Sequence, residues 1–140
     1  MTQDQIALIR ANFALVAPNA NAVGMVFYDH LFALDPALRP MFHGPIEAQA
    51  AKLMQVLAFA VANLEKPDAL LPPVRALGQR HVGYGVVPAH YQTVGAALLD
   101  TLAAGLGDAF TPEAKAAWTE AYTVLATEMQ DAASGVAAPH

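Results

Sequence analysis

The chain has 140 residues, enough for one domain with a single core. Hydrophobic residues make up 56% of it and charged residues 14%, more apolar than close packing of alanine-rich helices requires, which points to an interior lined for something apolar. Zero cysteines exclude disulfides, thiolate zinc sites, iron–sulfur clusters and thioether attachment of a cofactor, and a formal charge of −5 argues against a nucleic-acid partner.

No segment alternates at period two, whereas helical periodicity runs throughout, so an all-α domain is expected. Thr2-Gln3-Asp4-Gln5 reads as a capping box opening a helix to about Val16. Asn19 is expected to cap a second helix through Val23, Phe27, Tyr28 and Leu31 to Leu34. Asp35-Pro36 starts a short third helix that Pro40 limits. Pro45 opens a fourth, with Ile46, Ala50, Leu53, Met54, Leu57 and Val61 as its buried stripe, and Glu65-Lys66-Pro67-Asp68 breaks it. A fifth runs through Pro72-Pro73-Val74 to Tyr84, and Gly85-Val86-Val87-Pro88 forms the loop after it. Pro88 starts a sixth that ends at Gly105 to Asp108, and Thr111-Pro112-Glu113 caps the last, with Trp118, Tyr122, Leu125 and Met129 as its seam. Seven helices and no strand are therefore predicted over residues 1–133, with 134–140 a flexible tail. No apolar run reaches the roughly 18 residues of a membrane span, and no secretion signal is recognised, so a cytoplasmic protein without a membrane span is expected, a monomer or weak homodimer.

His81 lies on the face that Val74 and Leu77 share, just before its helix ends, so one ring nitrogen can point into an apolar cavity. That placement suits a ligand holding an iron from one side. Taken alone, an inward histidine is more often a core residue with its hydrogen bonds satisfied. Tyr28 is the only polar-tipped residue among its inward neighbours, and a core tyrosine bonded to a backbone carbonyl is the plain alternative. Gln49 and Leu53 stand one turn apart on one helix face with Lys52 on the shoulder, and Met41-Phe42-His43 puts an aromatic ring near a helix corner.

Pro45-Ile46, Gln49 and Lys52 to Leu57, together with Leu77-Gly78, Arg80-His81, Tyr84 to Val87 and His90-Tyr91, resemble the distal and proximal helices of single-domain bacterial globins, the Vitreoscilla-type haemoglobins and the globin domains of flavohaemoglobins. The resemblance covers about residues 1–131 and implies a three-over-three globin fold around a b-type haem. It implies His81 as the proximal iron ligand, Tyr28 and Gln49 as distal groups facing O2, NO or CO, and Leu53 as the aliphatic one turn on. Phe42 then stacks on the haem, Tyr91 approaches the proximal histidine, and Val86 and Val94 touch the haem. The chemistry suits these types, because a phenol and an amide can both donate to an O2 ligand that gathers negative charge, in a pocket kept dry by Leu53 and Phe42. Lys52 and Arg80 could pair with haem propionates or simply belong to a solvated face, and His43 could reach a propionate or the iron. His30 is expected to face away from the pocket and His90 to lie at the surface or the haem edge, and His140 lies in the tail.

One departure stands out. The family places a glutamate late in the last helix, beside the proximal tyrosine, and that position is Ala133 here; Asp131 is two residues earlier and about 200° away. His81 Nδ1 is therefore expected to donate to a backbone carbonyl such as that of Leu77. No G-x-G-x-x-G loop occurs, so electrons for NO dioxygenase turnover would come from an external reductase. An O2 carrier or scavenger and a gas-ligand sensor need the same pocket, and a haem-free helical interaction module is the remaining alternative.

Overall fold

A computed structural model describes residues 1–42, 44–83 and 86–137. Six α-helices, α1 (Gln3–Val16), α2 (Ala20–Leu34), α3 (Ile46–Ala62), α4 (Pro67–Gly83), α5 (Pro88–Leu106) and α6 (Pro112–Ala137), are joined by three 3-10 segments, Ala17–Asn19, Pro36–Met41 and Gly107–Ala109. No strand occurs among the described residues. The predicted third helix is thus the 3-10 segment Pro36–Met41, because Pro40 has no N–H with which to continue an α-helical ladder. Helix α4 begins at Pro67, within the Glu65-Lys66-Pro67-Asp68 stretch expected as a break, and contains Pro72 and Pro73. Helix α6 extends through 137, into the stretch expected as tail.

Local chemistry explains most boundaries. The Thr2–Gln5 capping box forms in both directions, at 2.8 and 3.1 Å. Asp35 accepts from the Ala37 N–H at 3.1 Å, and Thr111 from that of Ala114 at 3.1 Å. Asn19 makes no such bond: it follows a 3-10 turn begun by Ala17-Pro18, and its side chain does not cap α2. Gly107 ends α5 at φ 54°, a conformation favouring a residue without Cβ. Arg10 reaches the last turn of α3, donating to the Val61 and Ala62 carbonyls at 3.3 Å each and pairing with Glu65 at 3.0 Å.

Two separate apolar clusters hold the helices. The larger packs Ile9, Phe27, Leu31, Leu98, Leu102 and Trp118 between α1, α2, α5 and α6, with Ala50 and Val61 of α3. Within it the buried Asn12 accepts from Trp118 Nε1 at 3.1 Å and donates to the Ala109 carbonyl at 3.2 Å. A smaller cluster, Leu70 and Val74 with Ala60, Leu125 and Met129, fastens α4 to α6. Helix α4 packs chiefly on α6 and α3 chiefly on α2, while α3 and α4 make no extended contact with one another. Helices α3 and α4 therefore leave a gap between them, the candidate cleft.

The expectation that no stretch is apolar enough to cross a bilayer needs correction. The helical run Gln3–Leu34 contains an 18-residue window of mean hydropathy 1.2, long and apolar enough by composition. Only 22% of that window is buried, while Ile9, Phe27, Tyr28 and Leu31 of the run belong to the core cluster.

Candidate functional site

Helix α2 is brought against α3 by Gly24. A Cβ there would stand 2.8 Å from the Ala50 Cβ and 3.0 Å from the Ala50 carbonyl oxygen, so only glycine admits this approach. Tyr28 lies one turn beyond Gly24, and Gln49 and Leu53 lie within one turn of Ala50, so all three stand close to this crossing. Tyr28 is only 6% exposed, yet its hydroxyl has no hydrogen-bond partner among the described residues. The carbonyl-bonded core tyrosine considered from sequence is therefore not what the fold builds.

Aromatic rings wall the phenol in. Phe27 meets it edge-on at 5.1 Å, Phe42 at 5.2 Å and Phe32 at 5.8 Å, and Phe32 and Phe42 meet each other at 5.6 Å. The Arg39 guanidinium covers the outer ring, 5.5 Å from the Phe32 centroid. Sequence reading singled out Phe42 but not Phe27 or Phe32. Their density over 27–32 was the available signal, and only the fold decides which rings face Tyr28. Burial pushes the Tyr28 phenol up to about 12, so it remains a protonated donor at neutral pH.

Along α3, Leu53, Gln49, Val56, Lys52 and Phe59 fall on one stripe. Gln49 and Leu53 are half-buried and Lys52 is exposed. Val56 and Phe59 are 41% and 40% exposed, an apolar surface with no protein covering it fully. Leu53, Phe42 and Val94 each pack against the main core cluster to which Tyr28 belongs, and of these Phe42 meets the Tyr28 ring.

Helix α4 carries His81. The His81 ring is half-buried, and its Nδ1 lies 2.7 Å from the Leu77 carbonyl oxygen, one turn back. A carbonyl only accepts, so Nδ1 carries the proton and the lone pair of the neutral ring lies on Nε2. Burial pulls the imidazole below its ordinary 6.5; the Leu77 bond opposes this, and the neighbouring Arg80 charge adds to the lowering. The Val86 N–H donates to the His81 carbonyl at 3.1 Å, tying the start of the following turn to the histidine. Arg80 is exposed and, like Lys52, makes no ion pair among the described residues. His43, Tyr84, Gly85 and His140, noted from sequence, lie outside the described residues.

Tyr91 enters from α5, 8% exposed, and its hydroxyl is sealed without a partner among the described residues. Its backbone carbonyl instead accepts from Tyr122 of α6 at 2.6 Å, a contact the sequence does not signal because 31 residues separate the two. Burial raises both phenols, and Tyr91 adds to the rise at Tyr122. Ala133 is half-buried, so a methyl group stands where the family's carboxylate is expected, while Asp131 is exposed. His90, expected at the surface or the haem edge, caps α5: its Nδ1 accepts from the Val87 N–H at 3.2 Å. His30 is half-buried, and nothing further places it at the cleft.

A model of the Globin family matches residues 26–129. The chain is 32% identical over 129 residues to a flavohemoprotein of Rhodopirellula baltica, covering 90% of this chain and 32% of the relative. It is 35% identical over 133 residues to a flavohemoprotein of Deinococcus radiodurans, covering 92% and 33%. The chain thus spans about a third of the length of these relatives. In structure it is similar to a bacterial globin from Campylobacter jejuni, with a TM-score of 0.86, 26% identity, and 97% of this chain and 99% of that one covered.

Proposed function

Because this chain belongs to the globin family, we propose that it binds a b-type haem through His81 Nε2 and retains O2 beside Tyr28 and Gln49 long enough to react it with NO, drawing electrons from a separate cytoplasmic reductase. Membership of the family implies haem binding and diatomic gas ligands. The observation that carries the finer reading is Tyr28, a buried phenol ringed by aromatics whose hydroxyl no described residue accepts. Such a donor is available to a ligand that can accept from it.

The cleft residues fit the group. The exposed Val56 and Phe59 provide apolar surface for a flat macrocycle, and the Nδ1–Leu77 bond leaves the imidazole lone pair on Nε2. Lys52 and Arg80 are exposed cations suited to propionates. When bound, haem supplies an open coordination position for O2, NO or CO and the electron exchange that conversion of NO and O2 to nitrate requires.

The chain's own part is to bind, orient and exclude water. Leu77 holds the ring plane of His81 and its Nδ1 proton. Tyr28 keeps its proton well above neutral pH and offers it to a polarised diatomic ligand, and the Gln49 amide offers a second donor. Leu53 and Phe42 restrict water, which strengthens both hydrogen bonds. With Ala133 in place of an acid, the proton on His81 Nδ1 faces a neutral carbonyl rather than a carboxylate, which favours ligand retention over peroxide cleavage. An O2 carrier or scavenger uses the same arrangement without turnover.

Absorption spectra of His81→Gly test the haem ligand. The Soret band should be lost and should return on addition of imidazole; a full band without imidazole would assign the iron ligand elsewhere. NO consumption in air with a reductant present separates the two roles. Sustained consumption supports the dioxygenase, and tight O2 retention with negligible NO loss identifies the carrier.

A further inference from the structure

We infer that Gly78 is a positioning residue, setting how far α4 carries His81 into the cleft through a backbone-on-backbone stop against Met129 of α6. The inference rests on the reading of His81 as the haem ligand. Leu70, Val74 and Gly78 recur every four residues on the buried face of α4. The first two meet Leu125 and Met129 through side chains. At Gly78 no side chain intervenes: an added Cβ would stand 2.6 Å from the Met129 Cα and 2.8 Å from its carbonyl carbon, and would collide with its carbonyl oxygen. The clash is with main chain, so no rotamer change relieves it. Ordinary contact begins at 3.4 Å, and moving from 2.6 to 3.4 Å requires the two helices to separate by about 0.8 Å.

Helix propensity does not account for this glycine. Pro72 and Pro73 already weaken α4, and glycine in a helix interior costs a further ~0.5–1 kcal/mol relative to alanine. A helix so composed depends on docking for its stability, and the glycine permits the closest docking.

His81 lies about 60° round the helix from Gly78, and its ring is fixed to the same backbone by the 2.7 Å bond to the Leu77 carbonyl. The imidazole therefore moves with α4 as one piece. It cannot re-aim to absorb a displacement of the helix without giving up that bond.

The test uses the haem-loaded full chain and resonance Raman spectroscopy of the ferrous, ligand-free protein. Gly78→Ala is expected to shift the iron–histidine stretching band and to speed haem transfer to an acceptor apoprotein severalfold. Val74→Ala removes packing from the same interface but leaves the backbone stop intact, so it should lower the melting temperature and leave the band in place. A wild-type band in Gly78→Ala overturns the positioning role. So does a shifted band in Val74→Ala, since side-chain packing would then set the depth; that arm remains readable even if Gly78→Ala fails to fold. His81→Gly separates the premise from the inference: an unchanged Soret band in that variant removes the ligand assignment itself.

Discussion

Tyr28→Phe removes one oxygen atom and little else. The ring that replaces it fills the same space among Phe27, Phe32 and Phe42, so no cavity opens and the aromatic wall is kept. The lost hydroxyl has no acceptor among the described residues, so its removal orphans no described protein group. On the proposed reading the remaining effect is the hydrogen bond to a polarised O2 ligand, at a residue only 6% exposed. Hydrogen bonds to charged groups are worth about 1.5–3 kcal/mol, so O2 release should accelerate roughly 10- to 150-fold. The phenol holds its proton to about 12, so the wild-type release rate should change little between about pH 6 and pH 9 on account of this residue. Stopped-flow displacement of O2 by CO measures the rate, and displacement of CO by NO supplies the control. CO carries less negative charge and should leave at nearly the wild-type rate. Equal acceleration of both ligands would refute the hydrogen-bond argument and assign Tyr28 a steric role, and an unchanged O2 rate would remove Tyr28 from the ligand's surroundings.

Three further outcomes are expected. An unfolded tyrosine loses its proton near 10 whereas Tyr28 holds it to about 12, so the native state binds the extra proton in between; its contribution is complete below about pH 10 and is lost as pH rises through about 12. Urea unfolding at pH 9 and pH 11 should show a smaller alkaline drop in Tyr28→Phe than in the wild type, and equal drops would count against burial as the cause. Asn12→Ala leaves the Trp118 indole N–H and the Ala109 carbonyl without their partner, at a cost on the order of 2–4 kcal/mol, readable by urea unfolding followed through tryptophan fluorescence. Ala133→Glu should offer the Tyr91 hydroxyl an acceptor and raise peroxide-driven turnover while leaving O2 release unchanged; turnover at the wild-type level would show that the new carboxylate does not engage the proximal side.

What the sequence determined by itself is what depends on residues within one helical turn. The capping box at Thr2 and Gln5, the Asp35 and Thr111 caps and the stop at Gly107 all follow from interactions a few residues apart. The bond from His81 to the Leu77 carbonyl is of the same kind, since a helix sets i and i−4 on one face whatever surrounds it. The all-helical class was legible for this reason, as was the grouping of Gln49 with Leu53. Asn19 shows the limit even locally: its residue type suits a cap, but the preceding 3-10 turn decides where the side chain points. Tertiary structure alone decided the rest. That Tyr28 has no backbone acceptor among the described residues, that Tyr122 donates to the Tyr91 carbonyl, that Asn12 meets Trp118 across 106 positions, and that Gly78 rests on the Met129 backbone are all consequences of how helices cross. Crossing geometry comes from the summed fit of many side chains on both helices, so no single pair of residues announces it. A glycine inside a helix signals that something comes close; only the packed chain shows that at Gly24 it is α3 and at Gly78 it is α6.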